Sequence, residues 1–296
     1  MKIVSLFSVI RGYIIPIIVL AQYLSAIFIL SPDKRALDVI LDFNLFILVL
    51  ASSLTIASGY IINSFYDSKK DLINRPNKSM LDRLVSQKTK LQVYFAINFF
   101  VAVIAFFVSF RAVLFFSVYI FLIWFYSHKV KKYPIIGNLM AAIMAVLPFF
   151  GILLYYKNFY EVIFFHAAFL FLLILIREMI KDLENIKGDL ANDYKTIPIV
   201  YGELISKKGI TFLLILTIIP VYYLINIYDV NYMDIYFYVC FITLILFGIK
   251  LWKSDTKPEF LQLHNVLKFL IVAGVFCIIL INPSVFWHGK RLLFRN

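Results

Sequence analysis

Charge is scarce in this sequence. Of 296 residues only 16% are Asp, Glu, Lys or Arg, against 62% hydrophobic, and mean hydropathy is +0.89. A soluble domain of this length rarely has so little polar surface. Cysteine is nearly absent: Cys240 and Cys277 both lie inside apolar runs, where they read as small hydrophobes, not as a disulfide or metal pair. The four histidines (His128, His166, His264, His288) show no ligand spacing, which argues against a zinc or haem site. The N-terminal stretch "MKIVSLFSVIRGYIIP" has no small-residue cleavage site, so its apolar run is expected to be a retained helix.

What the chain does have is apolar runs long enough to cross a bilayer, for which about 20 residues suffice. Nine spans are expected, at about 10–30, 44–64, 91–109, 112–128, 134–156, 159–180, 210–228, 232–252 and 264–286. The fold class is therefore an all-α, polytopic transmembrane helix bundle, in one domain over residues 1–296. The net charge of +12 could suggest nucleic acid, but the positive-inside rule explains it better. Most of the 29 basic residues fall at 65–90, 129–133, 177–208 and 250–268. These segments share one side, expected to be the cytoplasmic side of the cell membrane. The tail residues Lys290, Arg291 and Arg295 break the rule for nine spans and obey it for eight. The two long cytoplasmic segments follow the second and sixth spans, which hints at two halves of four helices.

Both long segments begin with acids at helical spacing. "NSFYDSKKDLINRP" sets Asn63, Asp67 and Asp71 four residues apart. Each step of four advances about 400°, so the three side chains drift only about 40° per step along one helix face. "REMIKDLENIKGD" sets Glu178, Asp182, Asn185 and Asp189 in a similar stripe. Carboxylates at a bilayer edge are costly unless they pair, bind a cation or line a wet cavity. Lysines and arginines crowd the same segments. Acids to hold a divalent metal, beside bases, suit a diphosphate. Mg²⁺ prefers oxygen ligands and binds through one or two carboxylates plus substrate phosphates. A diphosphate so neutralised becomes a good leaving group.

These stretches resemble the UbiA superfamily of intramembrane prenyltransferases. The first is similar to that family's N-x3-D-x3-D followed by "NRP". The second, "KDLENIKGDLANDYKTIPIVYG", is similar to "KD-x-ED-x-x-GD…TLP…G". A third, "WFYSHKVKKYPIIGN", resembles "YS…K…P…GN". The likeness runs from about residue 8 to 285. It departs at Asn185, where the family has Asp, and at "NKS" (77–79), where Lys78 stands in for an arginine of "DRP".

The resemblance implies an enzyme that transfers a prenyl group from an isoprenyl diphosphate. Asn63, Asp67 and Asp71 would hold one Mg²⁺, and Asp182 and Asp189, with Asn185, a second. Asp67, Asp71, Asp182 and Asp189 would be the catalytic carboxylates. Arg75, Lys129, Lys195 and Lys78 would contact the diphosphate, with Tyr126 and Asn138 in the pocket. The prenyl tail would lie in the bundle, where aromatic faces can stabilise an allylic cation. "DLINRP" and "KDLENIKGD…KTIP" look most like the branch that uses geranylgeranylglyceryl phosphate as acceptor. 4-Hydroxybenzoate and dihydroxynaphthoate are the aromatic alternatives. A cation transporter or channel is the competing class, although most middle spans lack the polar groups a conduction path needs.

Overall fold

The computed structural model describes residues 2–283, with side chains from residue 5 onward. Helices dominate, and eight of those described are long and apolar enough to cross a membrane. The expected last span, 264–286, reaches beyond the described residues. Within them the helix begins earlier, at Lys257, because Thr256 and Glu259 form a reciprocal capping box there.

The first expected span differs. Instead of one helix over 10–30, α1 (Lys2–Ile10) stops at Arg11, whose φ is 54°. A new helix, α2 (Ile15–Ser25), starts with Pro16 in its first turn and widens into a π-turn at Ala26–Leu30. Proline favours helix starts because its missing N–H has no partner there anyway. The apolar stretch Ile15–Leu30 is thus shorter than the eight long helices. A short helix, α3 (Ala36–Ile40), leads to α4 (Phe43–Tyr66). Asp42 caps α4, accepting from the amides of Asn44 and Leu45 at 3.0 and 3.2 Å.

Beyond α4 come α5 (Ser68–Asn74), α6 (Pro76–Asp82) and α7 (Gln87–Val108). Ser109 alone links α7 to α8 (Phe110–His128), and its side chain caps the new helix from the Ala112 amide at 3.1 Å. A short turn leads to α9 (Ile136–Tyr156). Pro148 lies inside α9 and cannot donate to the carbonyl of Met144. The Tyr119 hydroxyl, from α8, donates to that carbonyl at 3.0 Å. A neighbouring helix so satisfies a backbone group that lipid could not.

The second half has α10 (Glu161–Glu184), α11 (Ile186–Leu190), α12 (Ile197–Tyr201), α13 (Glu203–Leu216), α14 (Ile218–Asn226), α15 (Asp234–Lys253) and α16 (Lys257–Cys277). Pro220 explains the break between α13 and α14, since it leaves the Leu216 carbonyl without its helical donor.

Two helices sit at the centre. Buried residues make up 67% of the apolar window of α4 and 56% of that of α10, against 17% to 33% for the other six long helices. Small residues let neighbours approach α4: Ala51, Ser52, Ser53, Thr55, Ala57 and Ser58 are all buried. Hydrogen bonds across helices add to the packing. Gln22 Nε2 donates to Ser52 Oγ at 2.9 Å, and Ser58 Oγ to Asn98 Oδ1 at 2.8 Å. Outer helices show large apolar residues outward, such as Phe99, Phe106, Phe110 and Phe269, each 70% exposed or more. That exterior suits lipid, not water.

The core follows the two halves. One buried cluster joins α4, α7, α8 and α9; another joins α10, α13, α14, α15 and α16 with part of α2. The long segments 67–86 and 185–202 come after α4 and α10, so each half carries one extended connection at one end of the bundle.

Candidate active site

The two central helices end in the same way. Helical hydrogen bonding runs on from α4 through Asp67 into α5: Asp67 N donates to Asn63 O at 2.9 Å, Asp71 N to Asp67 O at 2.8 Å, and Arg75 N to Asp71 O at 2.8 Å. Asn63, Asp67 and Asp71 therefore stay on nearly one face across a slight break at Asp67. In α10 the break falls at Asn185 (φ −111°, ψ 13°), and Asp189 N donates to Asn185 O at 3.0 Å. Each motif is thus a transmembrane helix, a kink at a motif residue, and a short helix.

Three contacts draw the two motifs together. Tyr194, just after the second motif, donates its hydroxyl to Asp67 Oδ1 at 2.7 Å. Lys70, in the first motif, forms an ion pair with Asp189 in the second and lies 4.0 Å from the Tyr194 ring centre. Gly188 packs on Asn74 so closely that a Cβ there would stand 2.3 Å from the Asn74 amide oxygen. Glycine at 188 is what permits this approach.

The loop after α8 closes the site from a third side. Lys131 Nζ stands 2.7 Å from Asp67 Oδ1 and donates to Asn63 Oδ1 at 3.0 Å. At the start of α9, Asn138 Nδ2 donates to Asp182 Oδ2 at 2.7 Å. Tyr126 is half-buried near the end of α8, within electrostatic reach of Asp182 and Asp67.

Not every expected residue arrives. Lys129 was expected to contact diphosphate, but it caps the end of α8 and is exposed; Lys131 holds the inner position instead. The 3-10 turn at Val130–Lys132 rotates successive side chains by about 120°, so Lys131 reaches Asp67 while Lys132 lies 5.5 Å from the Tyr194 ring centre. Lys195 is exposed, and its amide bonds to Lys132 O at 2.8 Å. Lys78 is engaged by Asp82 at 2.5 Å. Arg75 lies half-buried, 3.9 Å from Glu184 Oε1. Glu184 in turn accepts from His264 Nδ1 of α16 at 2.6 Å in a buried pair. Glu178 pairs with Arg177 and Lys181.

The electrostatics differ between the acids. Burial pushes the Asp67 carboxyl up, but Lys131 and Lys70 outweigh it and hold it below the usual range. Burial, then the charge of Asp67, raises Asp71. Burial also raises Asp189 despite Lys70. Among the described residues no three His, Cys, Asp or Glu side chains converge into a metal-holding group by themselves. Spare oxygen donors are nonetheless present. Among the described residues Asn185 Oδ1 is buried without a hydrogen-bond partner, and Asp189 is answered only by the Lys70 ammonium. A buried acceptor left unmade costs about 1–3 kcal/mol, so these oxygens suit an added cation. All the motif donors are oxygens, which fits Mg²⁺.

Below this polar end lies an apolar cavity of about 140 Å³, lined among others by Ser25, Phe149, His166, Ala167, Phe169 and Tyr236. Its α10 residues lie nine or more positions before Asp182, or about 13 Å deeper along the helix.

An end-of-bundle cluster of acids and lysines over an apolar chamber defines an intramembrane enzyme of charged, greasy substrates. The chain belongs to the UbiA prenyltransferase family, whose pattern matches residues 19–266. It is an integral, multi-pass membrane prenyltransferase, which sets aside the conduction reading. Digeranylgeranylglyceryl phosphate synthase of Methanosphaera stadtmanae is 32% identical over 220 residues, or 72% of this chain and 77% of that protein. Among solved structures, one described as "Structural and mechanistic insights into the biosynthesis of Digeranylgeranylglyceryl phosphate synthase in membranes" superposes with TM-score 0.70. It is 21% identical and covers 94% of this chain and 97% of its own. A UbiA homolog from Archaeoglobus fulgidus bound to DMAPP and Mg²⁺ superposes with TM-score 0.67 at 17% identity, covering 93% and 99% of the two chains.

Proposed function

We propose that this chain transfers a geranylgeranyl group from its diphosphate to the free hydroxyl of geranylgeranylglyceryl phosphate. The observation that carries the reading is the joining of the two acid motifs through Tyr194–Asp67 and Lys70–Asp189. It brings oxygen donors and ammonium groups to one place, as a diphosphate between metals requires. The acceptor follows from the digeranylgeranylglyceryl phosphate synthase relative and from "DLINRP" and "KTIP" in this chain.

Asn63, Asp67 and Asp71 on one side, and Asp182, Asn185 and Asp189 on the other, would hold Mg²⁺. The A. fulgidus homolog bound to Mg²⁺ supports that metal. Bound Mg²⁺ would supply charge neutralisation for the departing diphosphate. Lys131 and Lys70 reach the same oxygens and would take up the rest of that charge. The far end of the prenyl tail would run down into the apolar cavity. The C1–O bond to diphosphate breaks with its electron pair leaving on oxygen. The acceptor hydroxyl then forms the new C–O bond and loses its proton. The released diphosphate, itself a base, can take up that proton.

The basic loops around the motifs support a cytoplasmic site in the cell membrane. The whole of 1–296 is taken as one catalytic domain.

A transfer assay in membranes tests the reading. Prenyl diphosphates of several lengths are crossed with geranylgeranylglyceryl phosphate, 4-hydroxybenzoate and dihydroxynaphthoate, with and without Mg²⁺. The expected product is the digeranylgeranyl ether, made only with Mg²⁺ and abolished by Asp67→Ala or Asp182→Ala. Transfer to an aromatic acceptor alone, or full activity in either variant, would sink the proposal.

A further inference from the structure

A group of cations lies deeper in the bundle than the diphosphate end, and the mechanism above leaves it unused. The Glu184–His264 pair marks one level where α10 and the oppositely running α16 meet. Arg177 stands seven residues before Glu184, and Lys268 four residues after His264. On helices of 1.5 Å rise they lie about 10 Å and about 6 Å further in. Lys268 lies within electrostatic reach of Arg177, Arg75 and Arg11, and of the Glu184 carboxylate.

Their counter-charges are largely committed. Arg177 shares Glu178 with Lys181, donating to it at 3.0 Å. Glu184 holds His264 and stands only at 3.9 Å from Arg75. Among the described residues Lys268 forms no ion pair; its contact is the neutral Asn265 Oδ1 at 3.4 Å. Arg11 lies over the Tyr60 ring, 4.9 Å from its centre. A cation inside a membrane span without an anion is costly, and such residues mark ligand or ion sites. Lys268 is exposed and the Arg177 side chain is 22% exposed, so both heads are reachable.

The geometry points to a second anion subsite, formed by Lys268, Arg177 and Arg11, that binds the phosphate monoester of a lipid acceptor. It is separate from the Lys70 and Lys131 end that faces the acid motifs. A phosphate monoester carries up to two charges and three acceptor oxygens, which can engage several cations approaching from α16, α10 and the α1–α2 turn. An aromatic monocarboxylate would leave most of that charge unanswered. The depth of the cluster favours an anion delivered on a lipid over one diffusing from water. The inference rests on the acceptor proposed above and adds where its phosphate sits.

The test uses the full-length protein in detergent or nanodiscs. Lys268→Gln, Arg177→Gln and Lys268→Arg are compared with wild type on geranylgeranylglyceryl phosphate and on its dephosphorylated alcohol. For Lys268→Gln the acceptor KM should rise about tenfold or more while donor KM stays within about twofold. The preference for phosphate over alcohol should collapse, and Lys268→Arg should restore it. A matched rise in donor KM, or an unchanged phosphate preference, overturns the subsite.

A binding arm separates this failure from that of the acceptor reading. An unreactive geranylgeranylglyceryl phosphate, methylated at the free hydroxyl, is titrated into wild type and Lys268→Gln. Tighter binding to wild type supports the subsite even if only aromatic acceptors turn over. Equal binding, no binding, or an equal thermal shift from inorganic phosphate alone overturns it.

Discussion

The hydroxyl of Tyr194 donates to Asp67 Oδ1 at 2.7 Å, although 127 positions separate the two residues. This bond ties the end of the first motif to the segment after the second. It also orients the one acid among Asp67, Asp71 and Asp189 whose carboxyl is held low. Tyr194→Phe removes it while keeping the ring against Lys70. A hydrogen bond to a charged group contributes about 1.5–3 kcal/mol, so kcat/KM should fall about 10- to 100-fold with the fold intact. Steady-state kinetics against an unchanged circular dichroism spectrum check this. Wild-type kinetics would show that the bond is incidental.

The lysines of the α8–α9 turn should behave oppositely. Lys131→Met takes a cation from Asp67 and Asn63 and should cost at least about 100-fold in kcat/KM for the prenyl diphosphate. Lys129→Met changes an exposed cap residue and should stay within about threefold. A reversed order would return the diphosphate contact to Lys129.

Gly188→Ala would push a methyl group into the buried Asn74 amide, 2.3 Å from its oxygen. Asn74 has little room to yield, because Lys257 also bonds its backbone carbonyl at 2.8 Å. The motif helices should separate slightly and activity should drop about tenfold or more, since small misplacements of reacting groups are expensive. Mg²⁺ affinity, read by calorimetry, should weaken with it.

Tail length should be set by the apolar cavity. Ala167 lines it from α10, and Ala167→Phe would fill much of the 140 Å³. The variant should keep transfer from short prenyl diphosphates and lose about tenfold in kcat/KM for the geranylgeranyl donor. Product analysis across donors of increasing length reads this out. Equal loss at every length would put the tail elsewhere.

Metal binding should depend on pH through Asp71 and Asp189, both of whose carboxyls are raised by burial. Protons compete with the cation at these groups. Mg²⁺ affinity should therefore fall as pH drops through their raised pKa values and recover above them, with proton release on binding. Titration calorimetry in buffers of different ionisation enthalpy measures that release. Affinity flat across the acid range would remove both residues from the metal set.

That this chain is a membrane bundle, and which residues carry its polar end, could be read from the amino-acid order alone. Hydropathy marked most of the spans because backbone in lipid has few permitted forms. Fourfold spacing put Asn63, Asp67 and Asp71 on one face because a helix repeats every 3.6 residues. Both signals are local. The remaining features depend on residues distant in sequence or on turns too short to show a period. The break at Arg11 divides the first apolar run through a left-handed residue that hydropathy does not register. The turn at Val130–Lys132 selects Lys131 over Lys129, although the two read alike in a basic run. Tyr194, Lys70 and Gly188 join the motifs through packing of α5 on α11, which no spacing within either motif encodes. The central burial of α4 follows from its small residues and cross-helix hydrogen bonds, and that of α10 from large apolar side chains packed against the helices around it. Their energy comes from close approach between helices, so it exists only once the bundle has formed.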